Sequence, residues 1–371
     1  MLALAVPDDD IPTVVGNNRF RSRSVGARWV PFLFFFSAAF GAVGGMEEPL
    51  RQGNLSNVAP IHLYGDIQHV LAIADGLQVR AMCEGWLAGA ALVNDCGDLL
   101  PFPTTKKIAA FCTLDGGIER YKTGSYTEVR GPSSIAGLSF GLGPVALGGF
   151  VECAHGAVRT KDDEKAGGAE FRGKGKSTAV GGGILARANV RLPNFNLFFC
   201  EFAGRAGSVH NAWDGDDTDS GIVYDRSEPY LGVRTGVGFR VDFRQKCSVE
   251  LYGNYLWAHL TKEENVAGGL VSFGSLESHR LQLGWQADCW ATEKLTPWCG
   301  AYLEHEFAGT VDGVASGADI SNQPSLKGSS VACKLGLSYR PFSAVGMDLA
   351  LRAVAGHRSG LGLSFQIDGK F

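Results

Sequence analysis

Apolar and polar residues alternate strictly along the end of the chain, where residues 361–371 read LGLSFQIDGKF. A period of two residues is typical of a β-strand with one apolar and one polar face. The chain then stops on an aromatic residue, Phe371. Because chain ends usually fray, a strand that stays apolar to its last residue favours a closed barrel, in which the last strand pairs with the first.

The same alternation recurs along the C-terminal three quarters of the chain and predicts twelve strands. The predicted strands cover residues 107–118, 134–142, 145–158, 176–191, 195–210, 228–243, 247–260, 279–292, 295–307, 326–340, 345–357 and 360–371. Most of these runs are long enough to cross a bilayer as tilted strands, which takes about 9–11 residues. We therefore expect an all-β protein, a twelve-stranded antiparallel transmembrane β-barrel.

The connections between the predicted strands alternate in length. Those after the even-numbered strands up to the tenth are short, and those after the odd-numbered strands up to the ninth are long and polar, as in residues 159–175 and 211–227. This alternation places the long loops at one end of the barrel and the tight turns at the other, with residues 358–359 as the exception. Outer-membrane barrels have this arrangement, whereas a soluble β-sandwich, the alternative, has no reason to sort its loops.

Charged residues of both signs fall on the polar faces of the predicted strands. An Arg or Lys facing lipid at mid-depth costs about 2–4 kcal/mol, so we expect these side chains to line a wet lumen. The predicted lumen-lining residues are Glu152, Arg187, Glu201, Arg205, Arg234, Arg240, Glu250, Arg280, Asp288, Glu304, Lys334 and Arg352.

The N-terminal part of the chain follows other patterns. Arginines at residues 19–28 precede an apolar run and then small residues, which is typical of a secretory signal, with a short membrane anchor as the alternative. In residues 62–100 apolar side chains recur every three or four positions, which predicts a helix that ends before the prolines that follow. The expected domains are a signal peptide (1–45), a short linker or residual passenger (46–61), the helix and a linker (62–105) and the barrel (106–371).

With this pattern the sequence resembles the C-terminal translocator domain of bacterial autotransporters, the type V secretion systems, over about residues 80–371. Residues 84–100, EGWLAGAALVNDCGDLL, are similar to the helix that threads the family's barrel. The opening strand (109–126) and the last two strands (349–371) resemble the family's, and so do three stretches between them. Those three stretches are residues 141–160, 181–190 and 198–211.

The resemblance implies a barrel in the bacterial outer membrane with an N-terminal helix threading the lumen. It also implies export through the Sec translocon, insertion by the barrel assembly machinery that reads the final strand, and passage of a passenger to the cell surface. Phe365, Ile367 and Phe371 are the expected assembly signal. Since little sequence lies between the predicted signal and the helix, we expect the passenger to be very short or missing. A non-secreting structural barrel or small pore with adhesive loops is the alternative.

Composition adds few candidate chemistries. The net charge of −4 favours no nucleic-acid partner. The expected surroundings are outer-membrane lipid and lipopolysaccharide around a monomer. Nine scattered cysteines are expected to act as small apolar side chains, with one or two disulfides left open. We expect no cofactor, no metal site and no enzymatic activity.

One self-directed reaction remains a hypothesis. Some members of the family cleave themselves through an Asn side chain in the lumen helix, and Asn94-Asp95 occupies that helix here. Such cleavage needs a nearby lumen acid, for which Glu152, Glu201 and Glu250 are the candidates. The alternative is a simple polar pair on a helix.

Overall fold

A computed structural model describes most of the chain beyond residue 76. The described residues are 77–98, 108–123, 126–162, 171–192, 195–215, 223–243, 247–261, 263–266, 271–311, 313–315, 318–319 and 324–371. The predicted signal peptide, the linker at 46–61 and residues 62–76 of the predicted helical region lie outside them.

One helix precedes a series of strands. The helix α1 spans Leu77–Asp98. The strands are β1 (Ile108–Tyr121), β2 (Tyr126–Leu142), β3 (Val145–Asp162), β4 (Phe171–Leu192), β5 (Phe195–Gly215), β6 (Val223–Phe243), β7 (Cys247–Leu260), β8 (Glu263–Val266), β9 (Val271–Phe273), β10 (Leu276–Cys289), β11 (Leu295–Glu306), β12 (Gly313–Ala315), β13 (Ala318–Asp319), β14 (Gly328–Phe342), β15 (Val345–Gly356) and β16 (Arg358–Lys370).

Twelve of these strands form a closed antiparallel barrel, which confirms the predicted fold class. The barrel closes between its first and last strands, where the pairing runs from Ala109 opposite Lys370 to Tyr121 opposite Arg358. Both chain ends of the barrel therefore lie at the short-turn end. The remaining strands, β8, β9, β12 and β13, form a separate small sheet built from the two longest connections at the other end, the long-loop end.

The alternation read from the sequence sorts side chains between the two surfaces of the barrel wall. Outward positions carry exposed apolar residues, such as Leu335 at 62% and Leu349 at 47% exposure. Alternate positions carry polar and charged residues that are buried, such as Arg352 and Glu304. A surface that is apolar outside and ionic inside inverts the pattern of a soluble protein and matches a barrel built for a membrane.

Several strands extend further toward the long-loop end than the sequence predicts. The first long loop was expected between residues 118 and 134, but β1 and β2 are separated only by residues 122–125, so this expectation was wrong. Tyr121, Thr127 and Val129 are buried in the extension. Their burial in the interior keeps the two strands paired beyond the stretch that carries apolar outward residues.

The helix α1 lies inside the barrel. Every side chain described from Met82 to Val93 is buried, and the helix contacts β2, β3, β4, β5 and β7 of the wall. Its alanines and glycines are small enough to fit beside the wall. The helix ends at Asp98, shortly before Pro101, in keeping with the stop signal. Within the described part of the chain, no helix is long and apolar enough to span a bilayer.

Candidate functional site

The lumen is the candidate site, and the first feature in it is a cluster of arginines around the helix end. Asp98 is the last residue of α1, where the helix dipole disfavours a negative charge. Arg358 Nη1 lies 3.1 Å and Arg280 Nη1 lies 3.2 Å from Asp98 Oδ2, and Gln282 Nε2 donates to Oδ1 at 2.9 Å. The positive wall residues offset the dipole and attach the end of the helix to the barrel.

Further ion pairs extend this cluster along the wall. Arg358 also pairs with Asp95 at 2.9 Å, and the hydroxyl of Tyr121 donates to the same carboxylate. Arg352 Nη2 lies 2.8 Å from Glu119 Oε1, which joins β15 to β1 across the intervening strand β16. Buried charges of this kind are tolerated only when they are paired, so the cluster depends on α1 being present.

A second group of contacts holds the last turns of the helix. Arg205 pairs with Glu152 at 3.0 Å and donates to the main-chain carbonyl of Val93 at 2.9 Å. Arg234 donates to the carbonyl of Gly97 at 3.2 Å. A Cβ atom on Gly97 would overlap the Arg205 guanidinium, so glycine lets the arginine approach the helix backbone. The Gly97 carbonyl lies in the last turn and has no partner within the helix, so the bond from Arg234 satisfies it.

The lumen narrows to a plug at the long-loop end and opens into a cavity at the short-turn end. Trp86 of α1 packs on Phe273 of the small sheet, with ring centroids 5.4 Å apart. Below Asp98 a cavity of about 540 Å³ is lined by charged and polar side chains, among them Glu250 and Lys334. A helix therefore fills one half of the lumen, and a polar vestibule occupies the other.

The structure places the twelve residues predicted to line the lumen on the inner surface of the wall. Those nearer the helix are Glu152, Arg205, Arg234, Arg280, Glu304 and Arg352. Those nearer the short-turn end pair with one another, such as Arg187 with Glu201 at 2.8 Å and Arg240 with Asp288 at 3.3 Å.

Sequence reasoning missed several members of the arginine cluster. Arg358 was assigned to a turn. It nevertheless falls in the same alternate series as Gly360, Gly362 and the inward-facing polar residues of the last strand. Glu119 lay one residue beyond the predicted first strand and shares the parity of its inner face. Extending the alternating pattern beyond the apolar part of each strand would have identified Arg358 and Glu119 as lumen residues. Nothing in the local sequence marks Asp98, because its partners lie about 180 residues or more away in the chain.

The Asn94-Asp95 pair sits in the continuous helix, with a neighbour that the sequence did not predict. Asn94 Nδ2 donates to Ser278 Oγ at 2.9 Å, and Ser278 Oγ donates to Glu306 Oε2 at 2.6 Å. The acid linked to Asn94 is thus Glu306. Of the three acids expected there, Glu152 and Glu201 pair with arginines and Glu250 lines the cavity.

Cleavage after Asn94 stays a prediction. Under this hypothesis N94A retains the helix in one chain with the barrel, whereas the parent protein yields a separate barrel fragment. Under the alternative of a simple polar pair, both chains stay intact and the helix remains an anchor. Mass spectrometry of the heat-denatured protein from outer membranes distinguishes the two. An intact parent chain of full mature mass would contradict cleavage.

The predicted assembly-signal residues lie on or next to the closing strand. Phe365 pairs with Leu114 and Ile367 with Cys112 of β1. Phe371 follows the strand, its amide donates to the carbonyl of Ile108 at 2.9 Å, and its side chain is 66% exposed. No cluster of three or more potential metal ligands occurs among the described residues.

Comparisons with known proteins bear on this arrangement of wall and helix. No protein-family model and no curated protein sequence matches the chain. The transport unit of the autotransporter AIDA-I from Escherichia coli superposes with a TM-score of 0.61 at 12% identity, covering 78% of this chain and 98% of that one. This chain has the autotransporter translocator fold.

Two further translocators share the fold. The translocator domain of the autotransporter NalP from Neisseria meningitidis gives a TM-score of 0.54 at 12% identity, over 81% of this chain and 99% of that one. The β domain of the Bordetella autotransporter BrkA gives 0.53 at 10% identity, over 71% and 100%. At these identities the likeness concerns the fold, and the function must be argued from the lumen itself.

Proposed function

We propose that this chain is an outer-membrane translocator barrel of the autotransporter type, which passes the segment before α1 through its lumen and anchors it at the cell surface. The observation that carries the proposal is the direction of α1. Asp98 lies inside the barrel above the vestibule, and Glu84, closer to the helix start, accepts a hydrogen bond from Thr123 at the long-loop end. The chain thus runs from the long-loop end inward to the first strand.

The chemistry of the lumen suits a passing polypeptide. An interior with arginines and carboxylates on most strands holds water, and the apolar wall residues near the long-loop end, among them Val158, Trp213 and Tyr230, pack against the resting helix. The same charges then hold a helix when it comes to rest, through pairs such as Arg358 with Asp98 and bonds such as Arg205 to the Val93 carbonyl. These features support the proposal of a conduit that ends as a plugged anchor.

The direction of the helix is tested by the location of a tag. An epitope inserted after Met46 should be labelled by antibody on intact cells. The matched control carries the same epitope after Glu293, in the turn between β10 and β11 at the short-turn end, and should be labelled only after the outer membrane is permeabilised. An inserted, folded barrel whose Met46 tag stays hidden on intact cells would contradict the proposal.

A passive small pore is the second candidate, favoured by the polar cavity of about 540 Å³. Deleting residues 62–100 should open a larger conductance in planar bilayers, because α1 fills the rest of the lumen. Equal conductance with and without this segment would contradict the plug. A parent protein that already conducts steadily, together with a hidden Met46 tag, would favour the pore.

The same proposal includes the route to the membrane. A cleaved signal within residues 1–45, passage through the Sec translocon and insertion by the barrel assembly machinery are the steps that a bacterial outer-membrane barrel requires. The barrel is proposed to act as a monomer surrounded by outer-membrane lipid and lipopolysaccharide.

A further inference from the structure

A groove crosses the outer surface of the barrel wall near the long-loop end, on β10, β11, β14 and β15. It has a volume of about 340 Å³, which falls within the range of small-molecule sites. It is separate from the lumen, and neither the threading helix nor the vestibule takes part in it. The outward side chains that line it include Leu283, Leu303, Val331, Ala355, His305 and Ser329.

The apolar residues of the groove point away from the lumen. Leu303 is 61%, Leu283 is 54% and Val331 is 45% exposed, whereas Glu304 and Ala332, which alternate with them, are buried. Successive side chains of a strand point to opposite faces of the sheet. The three exposed residues therefore belong to the apolar outer surface that the barrel presents to a membrane.

The strand register explains why the surface is recessed here. Leu283, Leu303, Val331 and Ala355 lie side by side in one row across the four strands, so the row passes from three branched side chains to a single methyl group. Gly356 follows with a φ of +131°, a backbone conformation that favours glycine, and it adds no side chain to the surface. The next row toward the short-turn end is small as well, with Ala301, Cys333 and Ala353.

One edge of the groove carries a polar pair. His305 and Ser329 lie opposite each other on β11 and β14, next to Leu303 and Val331 on the long-loop side. His305 Nδ1 is 2.7 Å from Ser329 Oγ. When the serine hydroxyl donates to Nδ1, the imidazole ring carries its proton on Nε2, and that N–H is able to donate to a carbonyl oxygen of a ligand.

The polar pair lies at the border of the apolar band. Phe307, two residues further toward the long loops, is exposed, and its ring packs edge-on against His305 with the ring centroids 4.5 Å apart. Aromatic residues flank the apolar band of outer-membrane barrels at the membrane interface. The groove therefore begins at the level of lipid headgroups and continues into the apolar band.

We propose that this groove binds one acyl chain of a membrane lipid, and that the carbonyl group at the head of the chain accepts a hydrogen bond from His305. The occupant follows from the surroundings, because the groove is continuous with the apolar outer surface and its polar edge lies at the headgroup level. A recess offers contacts on several sides of a chain, which a smooth wall does not. The location in a membrane rests on the proposed function above, but the packing of the chain does not.

The test uses the folded full-length barrel in mixed micelles of neutral detergent and a phosphatidylethanolamine that carries a photoactivatable diazirine in one acyl chain. Mass spectrometry then maps the cross-links. In the parent protein we expect the groove residues to be labelled more than Leu231 and Leu251, which are exposed leucines on other strands. The variant A355F fills the groove and should lose this excess, whereas the control A206F changes an exposed alanine on β5 and should keep it.

A second pair of variants tests the polar edge. H305A removes the proposed donor. The matched control is H155A, because His155 also faces outward and lies 2.9 Å from a hydroxyl, that of Thr178, but outside the groove. One hydrogen bond contributes about fivefold in affinity, so at limiting lipid we expect H305A to lower the labelling of the groove about fivefold and H155A to leave it unchanged.

Several results would overturn the proposal. Labelling spread evenly over the exposed leucines of the wall would do so without any variant, and so would an A355F or H305A barrel that is labelled like the parent. Displacement of the probe by less free fatty acid than unlabelled phosphatidylethanolamine would identify a fatty-acid site instead. A particle of twice the barrel mass, which A355F dissociates and A206F does not, would identify a second copy of the chain. Because the micelle experiment needs no export, its failure is separate from a failure of the Met46 tag to reach the surface.

Discussion

At the scale of single residues, Asp98 makes the most demanding contribution. It places a carboxylate at the negative end of a helix dipole and depends on Arg280 and Arg358 of the wall. We expect D98N to destabilise the folded barrel by about 3 kcal/mol, because removing one partner leaves buried arginines uncompensated. Denaturant unfolding followed by tryptophan fluorescence measures the loss.

The matched control is D225N, since Asp225 is 46% exposed on the outer surface and should change stability little. A loosened helix end should also give brief openings in planar bilayers for D98N and none for D225N. If both variants have the stability of the parent protein and neither gives channel openings, the arginines are adequately paired without Asp98.

Cys247 and Cys289 are a second residue-scale feature. They lie directly opposite each other on β7 and β10, with their sulfur atoms 3.1 Å apart. We expect them to form a disulfide in an oxidising compartment, where the two thiols pass two electrons and two protons to the disulfide of a thiol oxidant. The measurement is intact mass after alkylation of the oxidised protein. C247S should expose Cys289 to the reagent, whereas the control C333S should leave the pair protected, and alkylation of both residues in the parent would refute the bond.

At the scale of elements, the closing strand β16 joins the two ends of the barrel. The amide of Phe371 adds one bond to Ile108 beyond the last ladder pair. A chain ending at Lys370 loses that bond and the aromatic side chain, so we expect less protein inserted in the outer membrane, measured by fractionation. F371L keeps the amide and separates the two causes, because a fall in F371L as well assigns the effect to the aromatic ring. Normal insertion of the chain ending at Lys370 would reduce Phe371 to ordinary packing.

At the scale of the whole molecule, closure leaves no free edge among the twelve barrel strands. With every neighbour paired, no strand can detach without breaking a ladder on each side. We expect the folded barrel to resist dodecyl sulfate at room temperature and to migrate faster in a gel than after boiling. A single migration position before and after boiling would argue against a closed barrel.

The sequence by itself determined the wall. Each side chain of a barrel strand points either outward or into the lumen. Because outward side chains must be apolar and inward ones polar, the two kinds of residue alternate along every strand. The last strand, residues 361–371, already showed this, and its pairing with β1 followed from closure. The twelve residues predicted to line the lumen were identified from the same alternation of apolar and polar positions.

Only the tertiary structure decided what the lumen contains and how far the wall extends. The bonds from Asn94 to Ser278 and from Arg358 to Asp98 join residues far apart in the chain, so no local pattern records them. The polar ends of β1–β4 read as loops because their outward faces are charged, and burial of Tyr121 and Thr160 in the interior makes them strands instead. Local alternation specifies a surface, whereas the choice of partners across the lumen depends on the closed barrel that brings them together.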